Sequence, residues 1–504
     1  MKSTNPYSET QQGAQSPVDE ALERFRSLLS PGNFKALQAE LQKPFYPAIR
    51  ANRLKTDPQQ SILKWQQIYE WQVEGVPYCP DGWWIKSSPQ PISSPVEHRL
   101  GFYYIQDAAS MLPVTLFDFS RTPQPLILDM AASPGGKTTH LVDRSSDRGL
   151  VIANDSSKDR ITALRLVLQN WGAMNIAITR FPGENIGDWF PETFDTVLLD
   201  APCSMQNLRS TENRPMRPVS DRERQFLARR QERMLISALQ AVKSGGEVVY
   251  STCTLNPEED EAVLDAVLRR YGNSVMIRNL ESTLPRPAPA LTSANLEGVQ
   301  LTFLPQVHFA VRLWPHIFGT SGFFAALLTK LEPIPTKNSA VPQRPLERTG
   351  LQVLSAKDSQ RVNDRLLQSY GFDFQQILEL QNLSLWRRRN VIYALPDMWM
   401  DRFRQVPFQA VGMRVAEEIQ QELQPSHEWM ARFGTQFQAG KFALEDEKTE
   451  AWLRGEDLHG KVDENLRKGQ IVLVVDHQGR LYGRGKVLAN RLRNMLPTWT
   501  VYTS

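Results

Sequence analysis

Cysteine is scarce in this chain: Cys79, Cys203 and Cys253 are the only three in 504 residues. So few thiols in so long a chain exclude a disulfide framework and make the reducing cytoplasm the expected location. Long apolar runs are absent too. No stretch approaches the roughly 20 residues needed to cross a bilayer, so no membrane partner is expected. The opening "MKSTNPYSETQQGAQSPVDE" lacks the apolar block of a secretory signal, and residues 1–18 read as a flexible lead-in. Charge of either sign is not in excess: 58 Lys and Arg against 55 Asp and Glu leave +3, too little to argue for a polyanionic partner. Internal repeats and low-complexity tracts are missing. No metal is expected, and nothing demands more than a monomer.

What is present is a change of rhythm along the chain. Residues 19–43 carry helical spacing. "YPAIRANRLKTDPQQSILKWQQI" then interleaves Arg50, Asn52, Arg53 and Lys55 ahead of an amphipathic helix. From residue 126 short apolar runs alternate with helical segments. The pattern predicts strands at 126–129, 150–154, 175–179, 194–199 and 246–251, with helices at 137–143, 157–171, 223–243 and 258–270. That alternation is the signature of an α/β fold, a doubly wound Rossmann-like parallel sheet. "FFAALLTK" (323–330) reads as an antiparallel edge strand closing it. The chain divides into a region at 19–110, the sheet domain at 111–332, a proline-rich linker at 333–348 and an α/β region at 349–445. A glycine-punctuated β-rich module, barrel-like in pattern, follows at 446–504.

"ILDMAASPGGKTTHLVD" (127–143) has the ending of a phosphate-binding loop, but Ala131 stands where the first glycine is required. No Mg²⁺-holding carboxylate can be assigned either. The alternative is a cofactor loop between the first strand and first helix, with Asp155 at the end of the second strand, where the ribose of an adenosine cofactor is held. "SPGGKT" does not match a dinucleotide fingerprint. S-adenosylmethionine (SAM) has the ribose but no pyrophosphate, and acidic strand ends at Asp129, Asp155 and Asp200 suit its positive sulfonium.

Cys203 follows the fourth strand in "LLDAPCS" and Cys253 the fifth in "YSTCTLNPEEDE". Those strands are neighbours in a doubly wound order, about 5 Å apart, so the two thiols are expected to face one cleft. Cys79 reads as a small buried hydrophobe. A thiolate beside a methyl donor can add to carbon 6 of cytosine and make carbon 5 nucleophilic enough to take the methyl. Asp200 is placed to bond the cytosine edge. A helix beginning just after Cys253 is expected to favour its thiolate. The base must be single-stranded or flipped to be reached.

Together "DMAASPGGKT", "LLDAPCS" and "YSTCTLNPEEDEAV" resemble the cofactor loop and two cysteine motifs of the NOL1/NOP2/Sun family of RNA cytosine-5 methyltransferases. "YYIQDAASMLPV" (103–114) and "HIFGTSGFFAALLTK" (316–330) look like the family's entry to and exit from its catalytic domain. The tail ("PSHEWM", "AWLRGEDL", "GRGKVLANRLRNMLP") is similar to the PUA-like region of bacterial small-subunit rRNA members. The resemblance implies a SAM-dependent methyltransferase domain between an N-terminal RNA-binding α+β domain and a C-terminal PUA-like RNA-binding domain. By position it implies that Ala131, Ala132, Ser133, Pro134, Gly135, Gly136 and Lys137 wrap the methionine part of SAM. It implies that Asp155 holds the ribose and that Asp200 serves both cofactor and reacting centre. Cys253 is then the nucleophile and Cys203 assists product release. The chain departs from the family in "SMQN" (204–207), where "SGEG" is usual, and in Pro182, where many relatives carry an Asp and for which Glu184 is the nearest substitute.

The expected partner is RNA, foremost small-subunit (16S) rRNA. Segment 203–233 holds eight arginines (209, 214, 217, 222, 224, 229, 230, 233) against four acids, and the tail adds Arg480, Arg484, Lys486, Arg491 and Arg493 near Tyr482 and Trp499. Methylation of tRNA, and an RNA-binding assembly factor without catalysis, are the alternatives.

Overall fold

The computed structural model of the chain describes residues 22–209, 217–296, 298–337, 339–460 and 466–501. The expected lead-in at 1–18, and Arg214, lie outside them.

The central sheet contains β1 (Leu126–Asp129), β2 (Leu150–Asn154), β3 (Ile176–Thr179), β4 (Phe194–Asp200) and β5 (Val242–Thr252). Further on it gains β6 (Val275–Ile277), β7 (Val311–Leu313), β8 (Phe323–Lys330) and β9 (Ala410–Val411). The order is β6-β8-β5-β4-β1-β2-β3-β9, with β7 also paired to β8. Strands β1 to β5 are parallel; β1 to β3 are almost uninterrupted apolar runs because helices cover both faces, and in β4 and β5 the apolar run is confined to 197–199 and 248–250. The helices are α1 (Gly136–Arg144), α2 (Lys158–Trp171), α3 (Asp221–Ala241) and α4 (Glu261–Tyr271). Ser157 and Ser220 cap α2 and α3 by accepting the amides of Arg160 and Glu223.

Two expectations for this sheet need correction. β8 is antiparallel to β5 but is not an edge strand, since β6 and β7 pair along its outer side. The other end of the sheet is completed by β9, a two-residue strand from beyond the linker, too short to leave a periodic signal. The helix expected at 258–270 begins at Glu261, because Glu259 and Asp260 turn inward to buried partners in place of the first helical turn.

Before the sheet, strands 72–75, 82–87, 48–51 and 103–106 form an antiparallel sheet in that order. After it, five antiparallel strands between 352 and 425 pack with helices Ala356–Tyr370 and Phe374–Gln381. The last five strands, between 441 and 494, pair in an open order rather than closing into the expected barrel. Among the described residues no helix is long and apolar enough to cross a membrane.

The N-terminal basic cluster is interior except for Arg53, which is exposed and lies 3.3 Å from Asp81. Arg50 is fully buried, paired with Asp143, bonded to Thr139 Oγ1 at 2.6 Å and to the Gly136 carbonyl at 3.2 Å, with its guanidinium 4.8 Å from the Trp171 ring. Lys55 donates to the Leu100 and Asn170 carbonyls, and Asn52 to those of Gly101 and Trp171. These side chains fasten the N-terminal sheet to α1 and α2.

Burial pushes the Asp143 carboxyl up to about 7 even though Arg50 opposes it. Removing Arg50 leaves a buried carboxylate with no cation, at a cost of about 3–5 kcal/mol. A carboxyl raised in the fold loses stability as pH rises through its folded value. The melting-temperature deficit of Arg50→Ala is therefore expected to be larger at pH 8.5 than at pH 6 by scanning calorimetry.

Candidate active site

Parallel pairing of β4 and β5 sets Asp200 level with Ser251, so the loops leaving the two strands start side by side. Cys203 lies three residues beyond the first position and Cys253 two beyond the second. Their sulfurs are 3.2 Å apart, both as free thiols. They open on a cavity of about 680 Å³ that is also lined by Asp129, Asp200 and the β1–α1 loop. Of the loop residues expected at the site, Ala131, Ala132, Ser133, Pro134, Gly136 and Lys137 line this cavity.

Two expected residues do not. Gly135 faces α2: with φ at +115° it adopts a backbone that favours glycine, and a Cβ there would lie 3.0 Å from Val167. Asp155 is 3% exposed, and its carboxylate accepts the amides of Ser133 and Ser157 while lying 3.4 Å from the Arg160 guanidinium. Arg160 also donates to the Ser133 carbonyl at 2.7 Å. Glu184 is committed to Arg230 at 2.8 Å and does not line the cavity.

Lys137 settles the phosphate-loop question. Its ammonium donates to Asp200 Oδ2 at 2.7 Å and to Ser110 Oγ at 2.9 Å, so it is neutralised inside the site. Thr138, the other residue of that motif, donates to Asp129 Oδ2 at 2.7 Å. Desolvation works against the Lys137 charge, but Asp200, and beyond it Cys253 and Asp129, hold the ammonium above its ordinary value. Ser251 donates to Asp200 Oδ1 at 2.8 Å, so the carboxylate is fixed from both sides. Burial raises Asp129 to about 7, with Thr138 opposing and Asp200 adding to the rise. The Cys203 thiol is pushed well above its usual range by its hydrogen bond with Cys253, by burial, and by the nearby Cys253 and Glu259 charges. No helix N-terminus supports the Cys253 sulfur directly, since α4 starts eight residues further on. Its cationic neighbour is Lys137.

Two buried side chains in the cavity wall carry unmet polar atoms. Among the described residues, neither Asp129 Oδ1 nor the side-chain amide of Gln106 has a hydrogen-bond partner. An unmet carboxylate oxygen beside an unmet amide fits an amphoteric, positively charged ligand, and α1 begins at Gly136, where a ligand carboxylate would meet helix amides. The residues fit SAM.

Behind the thiols lies a polar network that the sequence reading missed. Glu259, fully buried, accepts the Ser204 amide at 2.9 Å, the Ser204 hydroxyl, Gln231 Nε2 at 2.9 Å and Asn256 Nδ2 at 3.0 Å. It therefore ties the first cysteine loop to the second and both to α3. Arg312, also fully buried, pairs with Glu261 and lies 3.3 Å from Asp260. The four consecutive acids in "PEEDE" were the available signal, since a run of carboxylates among apolar segments has to be matched if it is buried.

The altered loop keeps its shape. Met205 and Leu208 adopt left-handed φ of 61° and 65° without glycine, a strain of roughly 1 kcal/mol each. Met205 lines the cavity and is 48% exposed. The arginine-rich segment is less open than its composition suggests: Arg209, Arg217, Arg224 and Arg230 are paired with Glu40, Glu223, Asp221 and Glu184. In the tail Arg480 and Arg491 are paired with Asp476 and Asp457, Arg484 is bonded to the Pro425 carbonyl, and Tyr482 is buried. Trp499 is 45% exposed.

Comparison with known proteins agrees with this geometry. Residues 119–329 match the family model described as 16S rRNA methyltransferase RsmB/F, and residues 19–108 match that of the N-terminal domain of 16S rRNA methyltransferase RsmF. The chain is 33% identical to the ribosomal RNA small subunit methyltransferase F of Enterobacter sp. (strain 638), over 95% of both chains. It is 30% identical to the protein of the same name from Aeromonas salmonicida (strain A449), over 91% of both. The crystal structure of a methyltransferase homologue from Pyrococcus horikoshii superposes with a TM-score of 0.50 at 30% identity, covering 62% of this chain and 99% of that one.

Glu259→Ala strips an acceptor from four buried donors at once. It is expected to lower the melting temperature of the catalytic domain by roughly 5–10 °C, with Glu259→Gln losing less, as read by differential scanning fluorimetry.

Proposed function

We propose, for a chain that belongs to the RsmB/F family of 16S rRNA methyltransferases, that it methylates carbon 5 of a cytosine in small-subunit rRNA through a covalent cysteine adduct. The observation that carries this reading is the sulfur pair, 3.2 Å apart in the cavity that holds Asp129, Lys137 and Asp200.

The reaction needs a nucleophile that adds to the ring and leaves again. Cys253, with the Lys137 ammonium as its neighbouring cation, attacks carbon 6 as the thiolate. As the sulfur–carbon bond forms, the ring electron pair moves to carbon 5, which becomes able to accept a methyl. Asp200, held by Lys137 and Ser251, bonds the polar edge of the cytosine and fixes its orientation. Cys203 keeps its proton during attack, because the neighbouring sulfur and burial disfavour its thiolate. Solvent water acts as the base that takes the carbon 5 proton; the electron pair returns to the ring and expels the Cys253 sulfur as a thiolate, which accepts a hydrogen bond from the Cys203 S–H.

SAM, when bound, supplies the electrophilic methyl and a permanent positive charge. Ala131 to Pro134, Gly136 and Lys137 would hold its methionine part, and the unmet oxygen of Asp129 would favour its positive charge. Asp155 would hold the ribose hydroxyls from the end of β2, next to Ser133, whose amide it already accepts. The β-rich C-terminal region serves as a PUA-like RNA contact. Action in the bacterial cytoplasm follows from an rRNA substrate.

Cys253→Ala is expected to abolish methyl incorporation into 16S rRNA while calorimetry still detects SAM binding. Cys203→Ala is expected to accumulate a protein–RNA adduct that survives denaturing electrophoresis. Normal turnover by Cys253→Ala would overturn the chemistry. An absence of SAM binding heat in the unmodified chain would favour an assembly factor without catalysis, and bisulfite sequencing of total RNA separates rRNA from tRNA as target.

Asp129 gives a second test. With its carboxyl raised to about 7, the site is largely protonated at pH 6, and a bound cation favours the ionised form. SAM affinity is therefore expected to rise from pH 6 to pH 8 with release of a proton. Calorimetry in buffers of different ionisation enthalpy reads this directly, and Asp129→Asn should flatten the dependence.

A further inference from the structure

Four ion pairs remove half of the arginines in segment 203–233 from any external role. Those left in the described residues are Arg222, Arg229 and Arg233, all exposed on α3, together with Phe226, which is 62% exposed. At about 100° per residue these four positions fall within an arc of roughly 60° and extend over about 16 Å of helix. No acid lies within that arc: Asp221, Glu223 and Glu232 sit outside it. The opposite side of α3 is the buried one, carrying Arg224, Gln231, Leu235 and Ala238.

From this arrangement we infer that the exposed face of α3 is a track for single-stranded RNA flanking the target nucleotide. Three arginines on one line with an exposed phenylalanine between them match a single strand, whose phosphates take the guanidinium groups and whose unstacked base takes the ring. A duplex offers no free base face to Phe226. Phe226, at 62% exposed, is the most exposed of the large apolar side chains among the described residues. The track also starts in the right place, since Arg217, four residues before α3, lines the catalytic cavity. The other side of the helix reaches the reaction: Gln231 donates to the Pro202 carbonyl at 2.9 Å and to Glu259 at 2.9 Å. A strand seated on α3 is thus registered against the loop that carries Cys203. The inference rests on the methyl-transfer reading for its target nucleotide, but the binding surface itself can be tested apart from it.

The test uses the full chain and a fluorescein-labelled 15-nucleotide single-stranded RNA of mixed sequence, with anisotropy titrations from 50 to 300 mM KCl. The triple variant Arg222→Ala, Arg229→Ala, Arg233→Ala is expected to reduce the slope of log affinity against log salt by about 2, as three lost phosphate contacts require. Phe226→Ala should weaken binding roughly 5- to 100-fold with the slope unchanged. The triple lysine variant should keep the slope, which rules out a folding defect. On 16S rRNA, the triple alanine variant should raise KM at least about tenfold with kcat within about twofold. Unchanged slope and affinity in both alanine variants would overturn the track. So would normal RNA binding coupled with lost binding to assembled small subunits, which would make the face a protein contact. If the slope falls as expected but the unmodified chain transfers no methyl to any RNA, the track stands and the methyl-transfer reading fails.

Discussion

The equal register of two parallel strands is the constraint from which the site follows. Asp200 on β4 lies opposite Ser251 on β5, and hydrogen bonds between the strands fix that pairing before any side chain is considered. Loops of three and two residues then have little freedom, and both sulfurs arrive on the same side of the sheet edge. A shift of one strand by a single residue would turn the alternating side chains to opposite faces and separate the thiols. Chemistry that needs two sulfurs in contact therefore depends on backbone pairing deep in an apolar sheet, where register is strongly specified.

Buried charge supplies the second layer of order. Glu259, Asp260, Glu261 and Arg312 are all fully buried within or beside one turn that follows Cys253. Each carboxylate finds donors in a different element: Glu259 in the Cys203 loop and α3, Asp260 in Thr252, Glu261 in Arg312. Burial of so many ionisable groups is unfavourable unless their partners are in place, so the network tolerates few arrangements of the two loops. Lys137 plays the same part on the cofactor side. Because it bonds both Asp200 and Ser110, it fastens the β1–α1 loop to the end of β4 and to the segment that carries Ser110.

Strands β1 to β5 and their helices were legible in the sequence because parallel strands covered on both faces leave continuous apolar runs, and because serines mark two of the helix starts. The thiols were legible for the same reason, through the order of the strands. What escaped was set by contacts distant in the chain. β9 has two residues and takes its place only through β3. The start of α4 is displaced because Glu259 and Asp260 bond back to Ser204 and Thr252, 55 and 8 residues away. Arg50 and Lys55 resembled a basic surface because composition does not report burial, and the carbonyls that hold Lys55 lie 45 and 115 residues further on. Asp155 was placed at the correct strand end, but its involvement with Ser133 and Arg160 is a property of the folded loop.

Helix α3 shows how these layers reach the surface. A charged segment in sequence is a sum over residues, whereas a surface is what remains once the fold has used its share. On α3 the subtraction is clean: Arg224 and Arg230 are paired with acids, the buried face is apolar apart from a few polar groups that include Gln231, and the three unpaired arginines share an arc. Gln231 and Arg229 are only two residues apart yet point to opposite sides, one to the carboxylate that ties the cysteine loops, the other to solvent. A 21-residue helix packed along its inner side is a stiff body, so force applied to its outer face is transmitted to that carboxylate and is not dissipated in a flexible loop. The exposed face of α3 and the two cysteine loops are in this sense joined through a single rigid element.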